Sequence, residues 1–138
     1  MPMTRRLLGA ALLALALAGC GGRESGAPPA PSTPAGPPML NDVSVAEVLA
    51  AITKAKLPAV NPRDATAAKC PAAGCVEATD TDTVSILKFP STGRAEVYAA
   101  AMPDMLQAED IVVIFAPTLT DEQKSAYRRV VKGAVAGR

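Results

Sequence analysis

The chain has 138 residues, no histidine and no tryptophan, 14 basic against 13 acidic side chains, and 49% hydrophobic residues, many of them alanine. Near-neutral charge gives no electrostatic footprint for nucleic acid and no broad basic surface for anionic lipid. The missing histidine excludes Ser-His-Asp and Cys-His catalysis and removes the commonest transition-metal ligand. The length suits one domain. With Phe89, Phe115, Tyr98 and Tyr127 as the aromatics, its core must be built from Val, Ile, Leu and Ala.

The chain opens with Arg5 and Arg6, an apolar run from Leu7 to Leu17, and then small residues. That layout is a secretory signal peptide. The run is about half of the roughly 20 residues that span a bilayer. Leu17-Ala18-Gly19-Cys20 resembles the lipobox of bacterial lipoproteins, L-[AS]-[GA]-C, at all four positions. The resemblance implies cleavage before Cys20, a diacylglycerol thioether on its sulfur, and often a further acyl chain on the new N-terminus. Two or three chains anchor a protein stably, whereas one does so only marginally. The expected address is the outer face of the cytoplasmic membrane. Loss of residues 1–19 leaves 12 basic and 13 acidic side chains.

Residues 20–40 read as the lipidated cysteine and a linker: Gly21, Gly22 and Gly26, then Pro28, Pro29, Pro31, Pro34, Pro37 and Pro38. Such a segment has no apolar face with which to offset its ordering entropy. At about 3.1 Å per residue in polyproline II, it reaches up to roughly 60 Å. Ser32 and Thr33 sit in a setting that some bacteria glycosylate, and the expectation is an unmodified spacer. The Gly21-Gly22 pair lacks a strand before it and is no phosphate loop.

The folded domain is expected over residues 41–138. Ser44-Val45-Ala46-Glu47 is a capping box, with Val43 and Val48 placed as a hydrophobic staple. Val45, Val48, Leu49 and Ile52 follow helical spacing to about Lys56, and Pro58 closes the helix. Val60 to Lys69 reads as a mobile loop and Cys70 to Cys75 as a tight surface loop. Val76–Thr79 and Thr83–Phe89 predict a hairpin about Asp80-Thr81-Asp82. Ser91 or Thr92 caps a second helix over about Gly93–Met102, with Ala95, Tyr98, Ala101 and Met102 on one face. Met105–Ala108 predicts a short strand and Ile111–Ala116 a central one. Thr120 to Gln123 forms a second capping box. It opens a helix with Ala126, Tyr127, Val130, Val131, Ala134 and Val135 on its apolar face. The fold class is therefore α+β: a small antiparallel sheet of three to four strands with about three helices on one face.

With Cys20 lipidated, Cys70 and Cys75 remain as an even pair in an oxidising compartment. A redox role needs an accessible, low-pKa thiol, usually with two-residue spacing at a helix N-terminus. Here four residues intervene, and the stronger reading is a structural disulfide worth about 2 kcal/mol. The acidic candidates are Glu77, Asp80, Asp82, Asp104, Glu109 and Asp110. Nothing places two of them across a cleft, so solvation of turns and strand ends is expected. Asp80-x-Asp82 lacks the remaining ligands of a calcium loop. Lys124, Arg128, Arg129, Lys132 and Arg138 cluster late in the chain, and Arg128 and Lys132 are expected opposite the apolar face, in water. No catalytic residue, metal ligand or cofactor is assigned.

The block from Asp42 to about Val131 also resembles small uncharacterised lipoproteins of mycobacteria and related actinobacteria. The features that carry it are Asn61-Pro62-Arg63-Asp64, the Cys70/Cys75 spacing, Thr79 to Ser85, Phe89-Pro90-Ser91-Thr92 and Tyr98-Ala99. The resemblance implies an envelope lipoprotein with a short disulfide and supplies no activity. The functional expectation is a membrane-anchored, non-enzymatic domain that binds an envelope protein or cell-wall component. It would do so through an exposed sheet surface or the Val60–Lys69 loop. The alternatives are a thiol-redox protein using Cys70 and Cys75, and a small carrier of lipophilic ligands.

Overall fold

The computed structural model describes residues 41–137. The expected signal peptide, Cys20, the expected linker with Ser32 and Thr33, and Arg138 lie outside them. The elements in chain order are α1 (Val45–Lys54), β1 (Arg63–Asp64), α2 (Thr66–Ala73), β2 (Glu77–Asp80) and β3 (Val84–Lys88). They continue with α3 (Thr92–Ala100), β4 (Met105–Ala108), β5 (Ile111–Phe115) and α4 (Asp121–Ala136). The α+β class holds, with five strands and four helices among the described residues rather than three to four and about three.

The sheet is antiparallel throughout, in the order β1-β2-β3-β5-β4. The chain leaves β3, runs through α3 to the edge strand β4, and returns by a two-residue turn to insert β5 between β4 and β3. Ile86 opposes Val113, and Leu87 opposes Val112. Because strand residues alternate faces, this register sends Val84, Ile86, Ile111, Val113 and Phe115 to one side. Leu87 and Val112 go to the other.

Both sides are covered, which corrects the expectation of helices on one face. One core gathers α1 and α4, with Val45, Val48, Ile52, Tyr127, Val131 and Val135 packed on the first set. The second core gathers Cys70 from α2 and Ala95 and Ala99 from α3 with Leu87, Phe89 and Val112. The composition of β3 and β5 already carried this. Val84-Ser85-Ile86-Leu87-Lys88 and Ile111 to Phe115 are nearly continuous apolar runs, the mark of strands buried on both faces.

The helix ends follow the sequence closely. In α1, Glu47 N donates to Ser44 Oγ (3.2 Å) and Ser44 N to Glu47 Oε2 (2.8 Å), while Val43 and Val48 are both buried. The helix stops at Lys54. Leu57 N then reaches Ile52 O (3.1 Å) and Lys56 N reaches Thr53 O (2.9 Å). This is a Schellman end with Lys56 (φ 59°) in the left-handed position usually taken by glycine. In α3 the cap is Ser91, whose Oγ accepts from Arg94 N. Ala95 and Ala99 form its buried stripe, and Ala101 is exposed. Thr120 and Gln123 close the second capping box.

The region expected as loops holds β1 and α2. Alanines line α2, so it shows no periodic stripe. Pro71 sits inside it, and its N-cap residue Ala65 provides no side-chain cap. Asp64 serves instead, its Oδ1 accepting from Thr66 N at 2.8 Å. The Thr66 backbone N–H holds the Asp64 carboxyl below its ordinary range. Thr66 Oγ1 in turn accepts from Ala78 N and donates to Ala78 O, fastening α2 to β2. Gly74, with φ 78°, ends the helix. The loop before β1 is also held: Asp82 N donates to Val60 O, and Pro58 O accepts from the hydroxyls of Thr83 and Tyr127.

Candidate functional site

An open groove of about 320 Å³ lies between α2 and α3, lined by Ala68, Lys69, Ala72, Ala73 and Tyr98. Its position follows from side-chain size. The alanines of α2 leave room above the sheet that larger residues would fill. On the α3 side, Tyr98 leans against the buried Phe89, with ring centroids 5.1 Å apart.

A polar network fixes one wall. Asp80 on β2 opposes Ser85 on β3. Lys69 Nζ pairs with the Asp80 carboxylate and donates to Ser85 Oγ at 2.9 Å, and Ser85 Oγ donates to Asp80 Oδ1 at 2.6 Å. Burial works to raise the Asp80 carboxyl. The hydrogen bonds from Lys69 and Ser85, with the charges of Lys69 and Arg63, outweigh it and hold the group below its ordinary value of 3.8. Burial, and then the negative charge of Asp80, push the Tyr98 phenol above its ordinary value. The Ser85 proton is committed to Asp80 and its lone pair to an ammonium, so this serine is not activated as a nucleophile. The arrangement presents a flat aromatic and several methyl groups beside a fixed ion pair, which suits binding.

The depressed Asp80 carboxyl gives a signed pH prediction. A carboxyl whose folded value lies below its unfolded value contributes stability above the unfolded value, and that contribution is lost as pH falls through the folded value. The thermal midpoint of the native chain is therefore expected to fall below pH 3.8. The fall should be shallower in Asp80→Asn. Equal slopes in the two melting series would remove Asp80 from the acid response.

Each acidic candidate has a partner. Glu77 Oε2 accepts from Val45 N (3.1 Å) at the start of α1. Asp82 faces Asn61 (2.6 Å) and Arg63 (3.3 Å). Asp80 and Asp82 thus serve different partners, and no group of three or more metal-ligating side chains occurs among the described residues. Asp104 pairs with Lys124 and lies 3.9 Å from Arg128. That corrects the view of Arg128 as a solvated charge, since its guanidinium also sits 5.0 Å over the Phe115 ring. Lys132 is exposed as expected, and Arg129 is exposed too. Cys70 and Cys75 form a disulfide across the C-terminal end of α2, each 9% exposed.

A second cluster was not expected. Lys88, in the middle of an apolar run, is 4% exposed, and Asp110 is fully buried. Lys88 Nζ lies 3.1 Å from Asp110 Oδ2. It also donates to Val43 O (2.7 Å), Asn41 O (3.2 Å) and Asn41 Oδ1 (3.3 Å). Asn41 Nδ2 donates to Asp110 Oδ1 and to Glu109 Oε2 (2.8 Å), and Val43 N donates to Asn41 Oδ1 (3.0 Å). The sequence signal was a lysine at a position whose register faces the core.

Comparison with protein-family models, with curated proteins and with solved structures gave no match to this chain.

Proposed function

We propose that the chain is an exported lipoprotein, anchored through Cys20 at the outer face of the cytoplasmic membrane. Its folded domain acts by binding an envelope protein or cell-wall component rather than by catalysis. The address rests on the lipobox Leu17-Ala18-Gly19-Cys20 behind a signal-peptide pattern. The observation that carries the binding role is the groove between α2 and α3, where Tyr98 and the alanine methyls stand beside a fixed Lys69–Asp80 pair. Both sheet faces carry helices and the Val60–Lys69 segment is tied down, so this groove replaces them as the binding surface.

The rival readings fit the geometry less well. Cys70 is the fifth residue of α2, away from the N-terminal amides that lower a thiol pKa. The groove is near the lower end of ligand-pocket volumes, opens to solvent and carries a charged wall, which does not suit a lipid carrier.

Two measurements test the proposal. In detergent phase separation the native chain is expected in the detergent phase and Cys20→Ser in the aqueous phase. A Cys20→Ser chain that stays with detergent overturns the anchor. For the groove, a photo-crosslinker at Ala72 in the intact envelope is expected to give a discrete adduct that the same probe at exposed Arg129 does not. Identical adduct patterns from both positions would overturn it.

A further inference from the structure

We propose that Lys88 and Asn41 react to form an intramolecular isopeptide bond, with Asp110 as the group that moves the protons. Three side chains of complementary chemistry meet in a nearly dry site: an amine, a carboxamide and a carboxylic acid. Lys88 Nζ donates to Asn41 Oδ1 at 3.3 Å, which holds the amine beside the amide whose carbon it would attack. Asp110 touches both reactants, with Oδ2 3.1 Å from the lysine nitrogen and Oδ1 accepting from the asparagine amide nitrogen. Holding reactants at such distances converts a bimolecular aminolysis into a unimolecular one, with effective molarities of about 10⁵ M or more for well-oriented groups.

The steps balance without any oxidant or co-reactant. A proton passes from Lys88 Nζ to Asp110 Oδ2 and leaves a neutral amine, the nucleophilic form of lysine. Nζ attacks Cγ of Asn41. The Nζ–Cγ bond forms, and the carbonyl pair moves onto Oδ1. There the Val43 N–H, 3.0 Å away, stabilises the oxyanion. Asp110 gives its proton to Nδ2. The pair on Oδ1 then returns to remake the carbonyl, the Cγ–Nδ2 bond breaks with its pair staying on nitrogen, and ammonia departs. The surplus proton on Nζ passes to Asp110 and leaves with the ammonia as ammonium. The Val43 carbonyl, 2.7 Å from Nζ, is placed to accept the N–H of the new amide. Glu109 is exposed and also accepts from Nδ2, so the leaving nitrogen already faces the route to water. The product ties the first described residue to the end of β3.

The test is peptide mapping of the purified full chain after reduction, alkylation and trypsin. An acylated Lys88 is not cleaved. The expected product is therefore a branched peptide that joins residues 24–54 to residues 70–94 and is one ammonia lighter than the two together. Separate linear peptides 24–54 and 70–88 at full mass overturn the proposal. So does an ammonia loss confined to residues 24–54, which marks a succinimide at Asn41. In the folded fraction of Asp110→Asn, the branch is expected to form about a hundredfold more slowly. An undiminished rate overturns the part given to Asp110.

Discussion

Lys88→Met is expected to destabilise the domain by about 3–5 kcal/mol, and adding Asp110→Leu is expected to return about 3 kcal/mol of that loss. The first change leaves a fully buried carboxylate without its cation, the costly way to break a buried pair. The second removes the stranded charge and fills its space with hydrocarbon. Recovery stays incomplete because Asn41 Nδ2 then keeps Glu109 as acceptor but loses Asp110. An unsatisfied N–H costs about 1–3 kcal/mol. Both variants lack the amine, so the comparison holds whether or not that amine reacts in the native chain. Urea denaturation of the two reads the difference directly. A double variant no more stable than the single one would mean that water or relaxation already neutralises Asp110.

Phe89→Ala is expected to destabilise by about 4 kcal/mol, at the upper end for a core truncation. Phe89 is fully buried, and the core it belongs to includes Ala65, Ala73, Ala78, Ala95 and Ala99. Residues that end at Cβ have no rotamer with which to fill a void, so the cavity persists. Tyr98 loses the ring it leans on, and the groove wall should loosen with it. Phe89→Leu, which keeps most of the volume, is expected to lose less than about 1.5 kcal/mol. Melting curves for both check the size of the effect, and a Tyr98-directed photo-crosslink checks the groove. A small loss for Phe89→Ala would show that α2 and α3 close over the gap.

Much of this fold was legible because its elements announce their ends. Ser44 with Glu47 and Thr120 with Gln123 place the starts of α1 and α4, and Pro58 marks where the first helix must yield. The strands β3 and β5 showed as runs rich in β-branched residues. What stayed hidden was written in small residues. The segment from Thr66 to Ala73 forms α2 with alanines, a proline and no side chain on Ala65 to cap it. Periodicity cannot register a helix whose buried stripe reduces to Cys70. The groove was unreadable for the same reason, being space left by absent side chains. The pairing of Asp80 with Ser85 and Lys69 needed the register of β2 against β3. The meeting of Asn41 with Lys88 and Asp110 joined positions far apart in the chain. The disulfide, by contrast, joins residues close in sequence, and counting cysteines was enough.

The placement of α4 has a kinetic consequence. Residues 63–115 contain all five described strands together with α2 and α3, so one side of the sheet can consolidate from nearby partners. The other side cannot. The apolar stripe of α1 waits for Tyr127, Val131 and Val135, which follow all five described strands in the chain. Closing so wide a span is slow compared with local pairing. Until α4 docks, Val48, Ile52, Ile86 and Val113 stay open to any passing chain, and this half-finished state is where a holding chaperone would matter.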